Sequence, residues 1–536
     1  MSDLRRSVGR YIVELLAANG IDTVFGIPGV HNLELYRGIA AGNLRHILVR
    51  HEQNAGFAAD GFARASGRPA AAFVISGPGL TNILTAAAQA KTDSVPMLIV
   101  ATTPVQHSLA KGWGVLHELD DQRAMAAGVT GFARTAYSAE DARDHLREAF
   151  ASFQVGRQRP AYVEVPLDLL AEPTSLRVER FAQVGGGPQA STAVIDRAVE
   201  LLSGASRPLI IAGGGARSAG RELRQLVEAV DGYLVTTVAG KGVLPESHPA
   251  NLGASLQYFP ARECVAAADV VLAVGTELSE TDFYSGTRLA LNGRLIRVDI
   301  DSSKLADHYA ADVGIWGEAR ATVAAIARQL EPRHGWRSEA GLAEKLRARI
   351  QDGLDSGARN CARVLHAIRA AMPADGAVFT DMTQVAYLGN YLFAADQPGS
   401  WLHPSGYGTL GYALPAAMGA RVAQPDRAIL ALAGDFGFQF TSQELATAVE
   451  LELSLPVVVW NNQALGQIRD DMHSAGIPPT GVIGRNPDFV ALGRAYGAHA
   501  LRARGPEELT EAIHKAFQQR VPTLIEAAES DFAAPT

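Results

Sequence analysis

Cysteine is nearly absent: Cys264 and Cys361 are the only two in 536 residues. Two cysteines this far apart build neither a disulfide framework nor a cysteine zinc site, which fits a reducing, cytoplasmic setting. Basic residues are in deficit, with 48 Lys and Arg against 56 Asp and Glu and a formal net charge of −8. No cationic excess exists to hold a phosphate backbone, so no nucleic-acid partner is expected. Apolar runs all fall short of the roughly 20 residues of a membrane span, so no membrane partner is expected either. Arg5 and Arg6 ahead of apolar residues resemble an export signal. However, Ile12, Leu15 and Leu16 at helical spacing, with Glu14 and Asn19 among them, predict an amphipathic first helix instead. Charged residues are only 19% of the chain and apolar ones 47%, which excludes disorder as the main state.

What is present is glycine, 53 residues of it, and enough length for about three domains at roughly 100–200 residues each. Two polar, irregular stretches, Glu172–Ser191 and Pro332–Gly357, read as linkers. They give expected domains over 1–172, 190–332 and 357–536. Apolar, β-rich runs alternate with helical patterns in each. Strands are expected at Thr23–Gly26, Ile47–Arg50, Ala71–Ile75 and Met97–Ala101, then at Leu209–Ala212, Tyr233–Thr237, Val270–Val274 and Arg297–Ile300, and finally at Ala377–Thr380, Ala428–Ala433 and Pro456–Trp460. Near-continuous apolar strands between helices predict parallel sheets covered on both faces. The expected fold is therefore α/β, with three doubly wound parallel-sheet domains.

In such sheets ligands gather at the carboxyl ends of the strands. Strand Ala428–Ala433 runs into Gly434-Asp435-Phe436-Gly437, then into a helix whose start carries Thr441 and Glu444 at capping-box spacing. The next strand ends in Asn461-Asn462. A right-handed βαβ crossover brings both strand ends to one sheet edge. Asp435 and Asn462 then offer two oxygen ligands to a hard cation, best magnesium, which keeps bonds to phosphate groups. Nearby glycines let backbone N–H groups approach those phosphates. In the first segment, strand Ile47–Arg50 is followed by His51-Glu52-Gln53-Asn54-Ala55-Gly56-Phe57-Ala58-Ala59-Asp60-Gly61.

These features resemble the thiamine-diphosphate-dependent family of 2-oxo acid decarboxylases and acetolactate-synthase-like enzymes. Gly-Asp followed 27 positions later by the second asparagine of Asn-Asn is similar to its cofactor signature. The resemblance implies a fold of pyrimidine, middle and diphosphate domains, and Mg²⁺ held by Asp435, Asn462 and the carbonyl of Ala464. Phe436 stands where the motif has glycine, and a positive φ there would strain it. Glu52 matches the glutamate that activates the cofactor's aminopyrimidine. Gly26-Ile27-Pro28-Gly29 and Ser76-Gly77-Pro78-Gly79-Leu80-Thr81-Asn82 resemble the pyrimidine-side loops, with Gly26, Pro28 and Asn82 at the cofactor. Gly408-Thr409-Leu410-Gly411 resembles the segment beneath it, the Gly408 carbonyl accepting from the aminopyrimidine and Leu410 bending the cofactor. Asp381-Met382-Thr383-Gln384 follows a strand and is expected to help hold the diphosphate, with Thr383, Gly434, Phe436, Gly437, Asn462, Leu465 and Gly466 on that side. The middle segment's Gly213-Gly214-Gly215 lacks the third glycine of a dinucleotide fingerprint, since position 218 is Ser218. The loop Gly275-Thr276-Glu277-Leu278-Ser279-Glu280 is acidic and has no arginine, so FAD is not expected.

The chain has no His-His, the proton relay of pyruvate-type decarboxylases, and Ile75 rather than histidine precedes Ser76. His31 and His117 are the remaining candidates, and His117 is chosen as catalytic beside Glu52. Val30, His31, His117, Glu118, Asp120, Asp121 and Ile468 are candidate substrate contacts. The acids there and at Asp470-Asp471 would attract a cationic side chain, ideally a guanidinium. Together with Ala110–Gly114 and Gly476-Ile477-Pro478-Pro479, they resemble the 5-guanidino-2-oxopentanoate (2-ketoarginine) decarboxylase subgroup. Three outcomes stay open: decarboxylation of a 2-oxo acid to an aldehyde, acetolactate-synthase-like carboligation, and a catalytically silent binding protein. The resemblance also implies a homodimer or homotetramer with the cofactor between subunits.

Overall fold

The computed structural model describes residues 6–42, 44–283, 288–334, 336–338 and 341–533. Arg5, from the leader-like start, lies outside them. Val8–Ala18 is the expected amphipathic helix, burying Val8, Tyr11, Ile12, Leu15 and Leu16.

Three parallel sheets follow in sequence. The first contains β1 (Thr23–Gly26), β2 (Arg45–Leu48), β3 (Ala70–Val74), β4 (Met97–Thr103), β5 (Phe132–Thr135) and β6 (Ala161–Pro166), in the order β2-β1-β3-β4-β6-β5. The second contains β7 (Pro208–Ala212), β8 (Tyr233–Thr236), β9 (Val270–Val274), β10 (Arg294–Asp299) and β11 (Val313–Trp316), in the order β8-β7-β9-β10-β11. The third contains β12 (Ala377–Thr380), β13 (Trp401–Leu402), β14 (Ile429–Gly434), β15 (Pro456–Asn461), β16 (His499–Arg502) and β17 (Thr523–Ala528), in the order β13-β12-β14-β15-β17-β16. Strands β3, β4 and β6 are buried at every residue, as sheets covered by helices on both faces require. A short antiparallel pair, Arg6–Ser7 with Pro173–Thr174, closes the first unit.

Three expectations need correction. The strand expected at Ile47–Arg50 lies two residues earlier, because the Arg50 N–H donates to the Glu444 carboxylate (2.7 Å) rather than to a neighbouring strand. Thr441 and Glu444 form no capping box: Thr441 ends helix α4 (Asp435–Thr441) and donates to the Gly411 carbonyl, while Glu444 starts the separate helix α5 (Glu444–Glu450). The stretch expected as a second linker contains a helix, Leu342–Asp352, which buries Ala343, Leu346 and Ile350 against the middle sheet.

The first and third units share one core. Helix α1 (Glu52–Ser66) crosses α3 (Ala413–Ala423), and Phe57, Ala58, Phe62, Tyr412, Leu414 and Ala416 belong to a single buried cluster. The helices meet backbone to backbone. A Cβ on Gly61 would lie 1.9 Å from the Ala416 carbonyl oxygen, and one on Gly419 would lie 1.9 Å from that of Ala58. Beside the crossing, Arg64 pairs with Asp60 (2.6 Å) and Asp93 (2.7 Å), and the Tyr412 hydroxyl donates to Asp60. The glycines of the middle segment serve packing: a Cβ on Gly213 would lie 2.3 Å from the Gly275 carbonyl oxygen. Glu277 pairs with Arg157 of the first unit and with Lys304 (2.7 Å). Burial opposes its charge, but these two cations outweigh burial and hold the carboxyl at about 2.

Candidate active site

The parallel register pairs Gly434 with Trp460, so Asp435 and Asn461 leave the sheet side by side. Asp435 is the first residue of α4 and is buried. Its carboxylate accepts from its neighbour's N–H at Phe436 (2.9 Å) and from the Asn486 amide (2.7 Å). Burial raises its proton affinity above the ordinary aspartate range, and these donors only partly offset that. Asn462 follows β15. Its amide nitrogen donates to Gln384 (3.0 Å), which leaves the carbonyl oxygen turned the other way, toward the Ala464 N–H (3.2 Å). Gln463 takes φ +55°, and a hairpin-like ladder follows, with Leu465 N–H on the Val482 carbonyl and Gly484 N–H on that of Gln463.

Asp435, Asn462 and the Ala464 carbonyl form an all-oxygen set with one carboxylate. That suits Mg²⁺ sharing its remaining positions with phosphate oxygens. Among the described residues, no group of three or more His, Cys, Asp or Glu could hold a metal on its own. The space beside the set is kept by missing side chains. A Cβ on Gly434 would sit 3.1 Å from Thr383, and one on Gly466, where helix α6 (Gly466–Ser474) begins, 2.4 Å from Gln384 and 2.5 Å from the Asn462 amide. If this set holds the Mg²⁺ and diphosphate that the sequence resemblance implies, Gly466→Ala is expected to weaken that binding about tenfold, since the displaced Gln384 no longer orients Asn462. Calorimetric titration with and without Mg²⁺ measures this. Phe436 lies inside α4 and is not among the residues of positive φ, so the strain considered for it does not arise.

Asp381, expected near the diphosphate, is committed elsewhere. It accepts from the Met382 N–H and the Gly411 N–H (both 2.8 Å), while burial pushes its carboxyl up to about 7. It thereby fixes the loop carrying Gly408 (φ +72°), Leu410 and Gly411 (φ +83°).

On the first sheet, Glu52 opens α1, half-buried, and accepts from the Asn82 amide (2.9 Å). Asn82 lies near the start of α2 (Pro78–Thr92). Gly26 ends β1 where the chain leaves no room: a Cβ would be 2.4 Å from the Phe73 carbonyl oxygen. After Pro28, Val30 is exposed and His31 buried.

The acidic loop divides on inspection. Glu118 is no free substrate anchor. It accepts from four successive backbone N–H groups, Gly112 (2.8 Å), Trp113 (3.3 Å), Gly114 (2.7 Å) and Val115 (3.2 Å). A small desolvation cost is outweighed by these donors, which hold its carboxyl below the ordinary glutamate range. Asp121 caps the next helix through the Ala124 N–H (2.8 Å) and lies 3.6 Å from Arg123. Asp470 takes Gln384 and Arg469. Asp120 is exposed and, among the described residues, takes no hydrogen bond or ion pair. Among the described residues, the Asp471 carboxylate receives only the neutral amide of Gln467 (3.0 Å). Ile468 is exposed on the same helix.

The chain thus brings Asp435, Asn462, Ala464, Leu465, Gly466 and Thr383 together, and Glu52 together with Asn82. Among the described residues, no hydrogen bond or ion pair links the two groups. The loop of Gly408 docks at the far end of α2, where Gln89 accepts from the Thr409 hydroxyl (2.9 Å) and Asp93 from the Gly406 N–H (2.8 Å). Asn82 and Gln89 are seven residues apart, about 10 Å along a helix. Sequence reasoning missed Gln384 and Asn486. Gln384 stood in the quoted Asp-Met-Thr-Gln run, whereas Asn486 carried no signal.

Family models match all three units: a thiamine pyrophosphate enzyme N-terminal TPP binding domain over 6–125, a central domain over 195–326, and a C-terminal TPP binding domain over 381–527. A probable 2-ketoarginine decarboxylase AruI of Pseudomonas aeruginosa is 50% identical over 97% of this chain and 93% of its own length. A probable acetolactate synthase large subunit of Methanocaldococcus jannaschii is 31% identical (96% and 90% covered), and acetolactate synthase isozyme 3 large subunit of Escherichia coli 30% (95% and 92%).

Proposed function

The chain belongs to the thiamine pyrophosphate enzymes, and from that premise we propose that it decarboxylates, without oxidation, a 2-oxo acid whose long side chain ends in a guanidinium. The product is the aldehyde one carbon shorter, together with CO₂. The observation that carries the substrate is the 50% identity, sustained over 97% of the chain, to the probable 2-ketoarginine decarboxylase. The free carboxylates support it: Asp120 and Asp471 have no cationic partner among the described residues and suit a guanidinium.

Thiamine diphosphate, when bound, supplies the electron sink that lets CO₂ leave. The chain supplies the rest. Asp435, the Asn462 amide oxygen and the Ala464 carbonyl would hold Mg²⁺, and Gly434 and Gly466 would leave room for the diphosphate. Glu52, fixed by Asn82, would share a proton with the far nitrogen of the aminopyrimidine ring, and the Gly408 carbonyl would accept from the amino group. Leu410 is the apolar support beneath the cofactor.

Since Glu52 and the Gly408 loop lie at opposite ends of α2 in one chain, the working site is completed by a second copy, giving a homodimer or a pair of dimers. Exposed apolar residues occur on both half-sites, Val30, Trp113 and Leu116 on one and Tyr407, Phe440 and Ile483 on the other, as an interface between copies requires.

A substrate panel tests the reading. With thiamine diphosphate and Mg²⁺, 5-guanidino-2-oxopentanoate is expected to give CO₂ and 4-guanidinobutanal, at a kcat/KM at least 100-fold above that for pyruvate. That margin corresponds to about 2.7 kcal/mol, within reach of one desolvated charge pair. Conversion of pyruvate to acetolactate at the higher kcat/KM would overturn it in favour of carboligation. Tight cofactor binding with no CO₂ from any 2-oxo acid would indicate a silent binding protein.

A further inference from the structure

The chain has no adjacent histidines, yet the fold builds a histidine pair from residues 86 positions apart. His31 lies in the loop after β1 and His117 in the loop after β4. Ser76 lies just past β3, the strand between them, so all three sit at the sheet edge that carries Glu52. The two imidazoles meet edge to face, with ring centroids 4.7 Å apart and planes at 61°. His31 is buried, and its Nδ1 is hydrogen-bonded to the Ser76 hydroxyl. Burial, and secondarily the neighbouring His117, lower the proton affinity of His31.

His117 is held in an unusual way. Its backbone takes φ +63°, in the left-handed region that non-glycine residues rarely occupy. It rests on Gly77, where a Cβ would come within 2.8 Å of the His117 carbonyl oxygen and 2.9 Å of its Cβ. The Gly77 N–H is fixed in turn by the Gln122 side chain (2.9 Å), which also donates to Tyr162 (2.8 Å) and the Thr102 carbonyl (2.9 Å). The His117 Nδ1 is buried and, among the described residues, has no hydrogen-bond partner. Strain and an orphaned ring nitrogen at one residue are what selection for packing removes and selection for chemistry keeps.

Resting on the decarboxylase reading above, we propose that His117 is the acid that protonates the carbon from which CO₂ departs, and that His31, anchored by Ser76, is the positioning residue that fixes its ring. The C–C bond to the carboxylate breaks and CO₂ leaves. The carbon that carried it forms a C–H bond with the proton from His117, and the aldehyde departs. His117, half-exposed, regains its proton from solvent, so one proton is consumed per CO₂ released. The pair therefore decides the outcome: with an acid in place the carbon is protonated, and without one it remains available to attack a second carbonyl.

Three variants test this: His117→Gln, Ser76→Ala and Ser76→Thr. In His117→Gln the first turnover is expected to release CO₂ near the normal amount, while steady aldehyde formation falls about 100-fold. Carboligation product should then appear when an aldehyde acceptor is added. Ser76→Ala is expected to lower kcat several-fold with KM within twofold, and Ser76→Thr, which keeps the hydroxyl, to restore it. The second readout needs no cofactor. In ¹⁵N-histidine NMR of the unloaded protein, Ser76→Ala should change the His31 tautomer and shift the His117 ring signals, while Ser76→Thr leaves both near wild type. Normal aldehyde formation by His117→Gln, or His117 signals indifferent to Ser76→Ala, would overturn the pair. Wild-type protein that releases no CO₂ from any 2-oxo acid would instead remove the decarboxylase reading, and the pair with it.

Discussion

Glu52→Gln is expected to lower turnover by about three orders of magnitude while leaving Mg²⁺-dependent cofactor affinity within a few-fold of wild type. The two effects separate because Glu52 and the proposed metal set share no hydrogen bond among the described residues. Glutamine is isosteric and still accepts from the Asn82 amide through its carbonyl oxygen, so the local structure is retained. What it lacks is an acidic proton to share with the pyrimidine nitrogen. Exchange of the cofactor's C2 proton with deuterium, followed by NMR, reports that defect directly and should slow in parallel with kcat. Turnover at the wild-type rate would contradict the role assigned to Glu52.

Gly61→Ala carries the largest expected effect on stability. The added methyl would lie 1.9 Å from the Ala416 carbonyl oxygen, 2.5 Å from its carbonyl carbon and 2.7 Å from its Cα. All three are backbone atoms of a buried helix, so neither partner can rotate away. Helices α1 and α3 must separate, opening the core that joins the first and third units. A loss on the order of 4 kcal/mol is expected, with Tm lower by about 10 °C. Gly419→Ala, which meets the Ala58 carbonyl oxygen from the other side, should behave alike. Gly204→Ala provides the control, since nothing lies within 4 Å of its added carbon, and it should stay within about 0.5 kcal/mol. Differential scanning calorimetry distinguishes these cases, and a Tm for Gly61→Ala equal to that of the control would refute the close-crossing account.

The three-sheet architecture was legible because its signal is local: apolar runs of four to seven residues, such as the fully buried Thr23–Gly26, Met97–Thr103 and Pro208–Ala212, need no knowledge of their neighbours. Asp435 and Asn462 were legible for a related reason, since they end consecutive strands of one βαβ unit and the crossover fixes where they meet. Long-range pairing hid the rest. Glu444 looked like a helix cap because Thr441 stands three residues before it, but its carboxylate is claimed by Arg50 and Asn54, almost 400 residues away. Glu118 looked like a substrate contact because composition reveals a charge but not the four backbone N–H groups that surround it. The absence of His-His was true of the sequence and misleading about the molecule, because loops after separate strands assemble the pair. Asn486 reaches Asp435 and Asn461 from a loop with no periodic pattern. Phe436 was weighed against a positive φ that the helix starting at Asp435 does not require.

Helix α2 has one more consequence. If, as proposed, a second copy completes the site whose parts meet its two ends, an isolated protomer would be inert however well folded it is. Specific activity then becomes a function of dilution, constant while pairs persist and falling as they dissociate. Thiamine diphosphate, gripped from both sides in such a pair, would act as mortar between copies. By mass action it shifts the association equilibrium toward the pair by the same factor by which pairing tightens its own binding.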